Sequence, residues 1–198
     1  RVLQMGENPA YVFNVGSPDL EFAETIKRTP DAEMLNRIGV GGHIDFSKPY
    51  IMVIQHPVTS ESDNREHVLA TLRAVSELGV QTLWFWPNPD AGTDEISKGI
   101  RVFREHNETP HIRFVIDINP RDYISLLKHA ACMVGNSSSG IKEASFFGTP
   151  VVNIGTRQHG RARGESVIDV GYDAGEIKRA VQRQLDHGPY EPSLTYYK

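Results

Sequence analysis

The chain holds 198 residues, 39% hydrophobic and 23% charged, with 17 Gly, one Cys and a formal net charge of −4. That profile suits a globular unit with a full core and excludes a disordered, collagen-like or disulfide-stapled chain. The acidic balance argues against a broad nucleic-acid surface, and no apolar run approaches the roughly 20 residues of a membrane-spanning helix.

The chain opens on Arg1, not Met, and its first residues lack the charged head, apolar run and cleavage site of a secretory signal. The expectation is a piece that begins inside a longer polypeptide. Cys132 lies in an apolar run without a partner for a disulfide, so a reducing cytoplasm is the expected compartment.

In chain order, residues 1–48 form an irregular lead-in, with a strand expected at 11–15 and helices near 20–27 and 32–38. A glycine turn at 39–42 leads to the core at 49–188. There, apolar runs at 50–55, 81–86, 112–116, 132–134 and 151–154 are strand-length, rich in β-branched and aromatic residues, and lack polar alternation. That is the pattern of strands buried on both faces. Between the strands, residues 61–78 repeat apolar side chains at helical spacing and stop at Gly79. Asn119, Pro120 and Asp122 open another helix, and Asp173 and Glu176 a last one that ends at Gly188-Pro189. Residues 189–198 form a tail without an element of their own. The alternation predicts an α/β fold, a Rossmann-like parallel sheet with helices on both faces, in one domain spanning 1–198.

Ligands of open α/β sheets bind beyond the carboxyl ends of the strands. The loops there are Gln55-His56-Pro57-Val58-Thr59, Pro87-Asn88-Pro89-Asp90-Ala91-Gly92, Gly135-Asn136-Ser137-Ser138-Ser139-Gly140 and Gly155-Thr156-Arg157-Gln158. The serine loop joins a strand to a helix, so its N–H and hydroxyl groups suit a phosphate, although a plain helix cap would use the same residues. Glu143, one turn on, could accept from the vicinal hydroxyls of a sugar or simply favour the helix dipole. Arg157 could neutralise a diphosphate or form a surface ion pair. His56 could donate to a phosphate or assist proton transfer, yet it is one of eight histidines; Asn88 and Asp90 also suit plain turn chemistry. These candidates gather at one end of one sheet. No metal-ligand spacing, Walker loop, dinucleotide fingerprint or Gly-x-Ser-x-Gly motif occurs, so no metal or cofactor is expected.

At these same loops the chain resembles the UDP-N-acetylglucosamine 2-epimerases, in particular the hydrolysing branch that makes N-acetylmannosamine for sialic acids and related nonulosonates. The resemblance rests on residues 55–59, 87–92, 132–140 with Glu143, and 147–158. It implies the C-terminal half of a glycosyltransferase-B-like two-domain fold, with an N-terminal domain of the same parent chain supplying the principal catalytic carboxylates. It implies UDP or a UDP-N-acetyl sugar as ligand, and a homo-oligomer. By position, Ser137 and Ser138 would hold the diphosphate, Glu143 the ribose, Arg157 and Asn88 the phosphate and sugar, with Asp90 beside them. Ile118 and its neighbours Asp117 and Asn119 would lie near the uracil, and His56, the candidate for catalysis, beside the departing oxygen. The non-hydrolysing branch carries an arginine- and glutamate-containing stretch after the equivalent histidine, where this chain has Pro57-Val58-Thr59; that departure favours the hydrolysing reading. A non-hydrolysing UDP-N-acetylglucosamine 2-epimerase, a UDP-diacetamido-sugar epimerase, a glycosyltransferase of the same fold and a non-catalytic nucleotide-sugar module are the competing readings.

Overall fold

The computed structural model describes residues 2–197; Arg1, on which the expectation of a longer parent rests, and Lys198 lie outside the described residues. After two short 3-10 turns come α1 (Pro18–Glu24), α2 (Ala32–Arg37), β1 (Val40–Gly41), β2 (Tyr50–Ile54), α3 (Asn64–Leu78), β3 (Gln81–Phe85), α4 (Thr93–His106), β4 (Ile112–Val115), α5 (Pro120–His129) and β5 (Cys132–Gly135). A π-helical stretch, Gly140–Ala144, then runs into α6 (Ser145–Phe147), followed by β6 (Val151–Ile154), β7 (Val167–Val170) and α7 (Ala174–His187).

The seven strands lie in the order β1-β4-β3-β2-β5-β6-β7. All neighbours pair in parallel except β1, which runs antiparallel along β4. Without β1 this is the doubly wound order in which the chain reverses direction across the sheet between β2 and β5. The unbroken apolar runs have a direct cause: alternate residues serve two cores. Ile51 and Val53 of β2 pack with α3, α4 and α7 residues such as Val68, Ile100 and Ile177, whereas Tyr50, Met52 and Ile54 pack with Leu35 of α2 and Leu126 and Leu127 of α5. The central strand β2 is therefore apolar throughout, as a parallel strand covered on both faces requires.

The caps follow the sequence. Asn119 accepts from the Arg121 N–H with Pro120 in the first turn, Asp173 accepts from Glu176 N–H at 2.7 Å, and Gly79 closes α3 at φ 66. The lead-in departs from expectation at 11–15. Asn8 caps a 3-10 turn at Pro9–Tyr11, no strand among the described residues pairs with those that follow, and Tyr11, Phe13 and Val15 stand exposed. The glycine turn at 39–42 becomes β1, with Gly39 and Gly41 at φ 73 and 105. Helix α4 and edge strand β7 were not singled out in the sequence; β7 is only partly buried, so its pattern is mixed. The tail forms no helix or strand among the described residues, yet it is tied down: Tyr190 and Ser193 donate to the carbonyls of Gly148 and Ser145, and Tyr196 accepts from Ser17. Among the described residues no helix is long and apolar enough to cross a membrane.

Arg113, inside an apolar strand run, is the anchor of the lead-in. It is 7% exposed, and its guanidinium donates to the carbonyls of Leu35, Asn36, Ile38 and Gly42 at 2.8–3.0 Å. Those are orphan carbonyls at the end of α2 and the turn after it, so one cation satisfies acceptors that the helix cannot.

Candidate functional site

The site begins where β2 and β5 part. Gly135 has φ 127, and a Cβ there would collide with the Ile54 carbonyl, so only glycine lets the strands meet this closely. Asn136, 1% exposed, then braces the fork. Its N–H donates to the Ile54 carbonyl at 3.0 Å, its Oδ1 accepts from the His56 N–H at 2.7 Å, and its Nδ2 donates to the His56 carbonyl at 2.8 Å. Its own carbonyl accepts from Gln158 at 2.7 Å and from Arg157 at 3.3 Å. One amide thus joins the loops after β2, β5 and β6.

His56 is 6% exposed, and its Nδ1 accepts from the Asn88 N–H at 3.1 Å. In a neutral ring that places the proton on Nε2. Burial first, and the Arg157 charge second, push its pKa down to about 4, with Asp90 pulling the other way. At neutral pH the residue is therefore an uncharged donor on the pocket wall.

Arg157 is held loosely. Besides the Asn136 carbonyl it meets, among the described residues, the Asp90 carboxylate at 3.5 Å, and its side chain is 28% exposed. Its loop is held from behind. Glu61 accepts from the Thr156 hydroxyl and, at 2.8 Å, from the Tyr172 hydroxyl, and His67 stacks on Tyr172 with ring centroids 3.5 Å apart. Burial and then Glu61 raise the Tyr172 phenol to about 12. Asn64 shapes the intervening turn, accepting from the Val58 N–H and donating to the Val58 and Glu61 carbonyls.

Beyond β5, Ser137 Oγ lies 3.2 Å from Ser139 Oγ at the start of the helical segment 138–147. The π-helical stretch within it carries Glu143, whose pKa burial raises, with Lys142 opposing; Lys142 Nζ is 3.8 Å from Oε1 and 2.5 Å from Asp19. Glu143 Oε2 is buried without a hydrogen-bond partner. So is the hydroxyl of Tyr123, which Ser139 adjoins without the geometry of a hydrogen bond.

A pocket of about 380 Å³ opens along this edge. His56, Asn88, Ile118, Ser137, Ser138 and Arg157, all singled out in the sequence, lie on its wall, with Asp117 and Ser139. Phe85, Trp86, Ile116 and Tyr123 add an apolar end that the sequence reading missed. Nothing local marked Tyr123: it read as part of the apolar stripe of α5. Asp90 does not reach this pocket; it lines a neighbouring hollow of about 450 Å³ with Thr59, Thr156 and Arg157. Glu143 sits behind the wall, not on it. Among the described residues no group of three or more His, Cys, Asp or Glu could hold a metal ion.

Strand order and switch-point crevice together define a doubly wound α/β protein of the Rossmann-like class. The family model described as UDP-N-acetylglucosamine 2-epimerase matches residues 1–197, and the chain belongs to that family. It is 32% identical over 199 residues to the "UDP-N-acetylglucosamine 2-epimerase" of Neisseria meningitidis serogroup B, covering 99% of this chain and 50% of that protein. It is 33% identical over 197 residues to the "UDP-N,N'-diacetylbacillosamine 2-epimerase (hydrolyzing)" of Legionella pneumophila, covering 99% and 49%. Among solved structures, UDP-GlcNAc 2-epimerase from Neisseria meningitidis bound to UDP-GlcNAc shares the fold at a TM-score of 0.70 and 13% identity, over 96% of this chain and 53% of that one. The chain spans about half the length of these curated relatives and corresponds to one Rossmann-like half of a glycosyltransferase-B-like architecture.

Proposed function

We propose that the chain is the UDP-binding, C-terminal half of a hydrolysing UDP-2-acetamido-sugar 2-epimerase, acting on UDP-N-acetylglucosamine. The observation that carries this reading is the switch-point crevice. An aromatic and apolar end suits a nucleobase, and a serine loop, a neutral His56 and a loosely held Arg157 suit a diphosphate. Ser137 and Ser138 receive the diphosphate and Ile118 and Asp117 border the uracil; Glu143, which the family resemblance assigns to the ribose hydroxyls, lies behind this wall. Asn88 and Asp90 border the sugar side of Arg157.

The reaction consumes UDP-N-acetylglucosamine and water and releases N-acetylmannosamine and UDP. A base removes the C2 proton while the anomeric C–O bond breaks, its electron pair leaving with UDP, and 2-acetamidoglucal remains. Water then adds across the double bond with C2 inverted. Charge builds on the departing diphosphate, so the His56 Nε2–H and the Arg157 guanidinium stabilise the transition state more than the bound substrate. The acid and base for C2 come from the N-terminal half of the parent, so this half binds without turning over. Release of free sugar is supported by Pro57-Val58-Thr59 after His56: the Val58 N–H and carbonyl are both held by Asn64, which leaves an uncharged turn there. Cytoplasmic location and self-association in the parent complete the proposal.

Calorimetry with UDP on this chain tests the binding half, and NMR of the parent's products tests the rest. Free N-acetylmannosamine with UDP is the expected outcome. UDP-N-acetylmannosamine alone would overturn the hydrolysing assignment, and faster turnover of a UDP-diacetamido sugar would reassign the substrate.

A further inference from the structure

Arg157 is the partition between two hollows. It lines the crevice of about 380 Å³ with His56, Ser137 and Ser138, and it lines the neighbouring hollow of about 450 Å³ with Thr59 and Asp90. Its guanidinium has one hold on each: Nη1 donates to the Asn136 carbonyl at 3.3 Å, and Nη2 lies 3.5 Å from Asp90 Oδ2. The ion pair is longer than the roughly 2.7–2.9 Å of a well-formed charge-assisted bond, so a stronger acceptor can take the cation from it.

Asp90 is fixed by its backbone. Its N–H donates to the Asn88 carbonyl at 2.8 Å and its carbonyl accepts from the Thr93 N–H at 3.1 Å, so the turn stands without the carboxylate. The same turn presents the Asn88 N–H to His56 Nδ1, which ties it to the crevice. The Asp90 side chain is 40% exposed and lines the second hollow, not the first. Its charge nevertheless reaches the crevice, where it opposes the effect of Arg157 on His56. A diphosphate in the crevice carries more negative charge than one carboxylate, and the two compete for a single guanidinium.

We infer that Asp90 is a counterion that holds Arg157 while the crevice is empty and competes with the diphosphate for it, so that its charge weakens UDP binding and speeds UDP departure. This rests on the UDP reading of the crevice and adds a positioning residue to it: Asp90 acts through Arg157 without touching the ligand. Partly exposed ion pairs are weak, so the competition is expected to cost about 3- to 5-fold in affinity and leave binding intact. Most of that difference belongs in the dissociation rate.

Calorimetry and stopped-flow dissociation with uridine and UDP, on the wild-type chain, Asp90→Asn, Arg157→Ala and the double variant, decide the matter. Asparagine keeps the backbone turn, so the melting temperature without ligand is expected to stay unchanged. Asp90→Asn is expected to tighten UDP about 3- to 5-fold, to slow its dissociation by a similar factor, and to leave uridine, which has no phosphate, unaltered. In the Arg157→Ala background the same substitution is expected to change UDP affinity hardly at all. Unchanged or weaker UDP binding by Asp90→Asn, or equal tightening of uridine and UDP, overturns the inference. So does full tightening in the absence of Arg157, which would make the effect a direct repulsion. Inorganic pyrophosphate separates the two readings: should wild type bind it but not UDP, the nucleotide reading fails, while the same comparison with pyrophosphate still decides Asp90. Binding of neither ligand defeats both.

Discussion

Two arginines occupy opposite situations in one sheet. Arg113, in the middle of β4, donates to four main-chain carbonyls at 3.0 Å or less and is sealed from solvent. Arg157, past the end of β6, reaches one carbonyl at 3.3 Å and one carboxylate at 3.5 Å. A buried cation with every direction satisfied has nothing left to offer a ligand, and its role is to hold α2 and the lead-in on the sheet. A half-exposed cation on long contacts at a crevice keeps its donors available for phosphate oxygens. Position along the chain already separated them, since Arg157 follows a strand, where ligands of open sheets bind, and Arg113 lies inside one.

Substitutions should separate the two roles. Arg113→Met leaves four buried carbonyls without a donor and is expected to cost about 3 kcal/mol or more in urea unfolding, with UDP affinity of the folded fraction unchanged. Unchanged stability would erase the contrast. His56, beside the second arginine, contributes a pH signature. Its folded pKa of about 4 lies below the ordinary 6.5, so the unfolded chain binds the proton first. Stability is therefore full above pH 6.5 and falls as pH drops toward 4, by at most about 3 kcal/mol, and His56→Gln should flatten this stretch of the stability profile.

Arg157→Ala is the mirror image of the first variant. It is expected to weaken UDP binding about 30-fold by calorimetry while shifting stability by no more than about 0.5 kcal/mol. A large loss of stability with normal affinity would make Arg157 a second Arg113. The smallest effect falls on the brace behind it. Glu61→Gln turns one acceptor into a donor facing Thr156 or Tyr172, which is expected to cost about 1 kcal/mol of stability and about 3-fold in UDP affinity. Tyr172→Phe, which removes one of the same bonds, should give a similar stability loss; no loss from either variant would show that the Arg157 loop stands without this brace.

Much of this arrangement could be read from the chain alone, and the exceptions have identifiable causes. The strand runs 50–55, 81–86 and 112–116 and the caps at Asn119, Asp173 and Gly79 depend on neighbours within a turn or two, so composition and period reveal them. Residues 11–15 have the composition of a strand, but a strand exists only with a partner, and among the described residues none pairs there. The candidate loops were legible because they follow the strands. Glu143's withdrawal behind the wall, Asp90's place in the next hollow and Tyr123's place on the pocket wall were not, because each depends on which loops end up side by side.

The sequence by itself determined that strands buried on two faces would alternate with helices, and that polar, glycine-containing loops would cluster at one sheet end. Those properties follow from side-chain periodicity over a few residues. The tertiary structure alone decided the order of the strands, which puts β2 beside β5 and brings His56 against Asn136, 80 positions away. It likewise decided the tautomer of His56 and left the Tyr123 hydroxyl and Glu143 Oε2 buried without a hydrogen-bond partner among the described residues. Such features come from long-range juxtaposition and desolvation, for which a linear pattern carries no local signal.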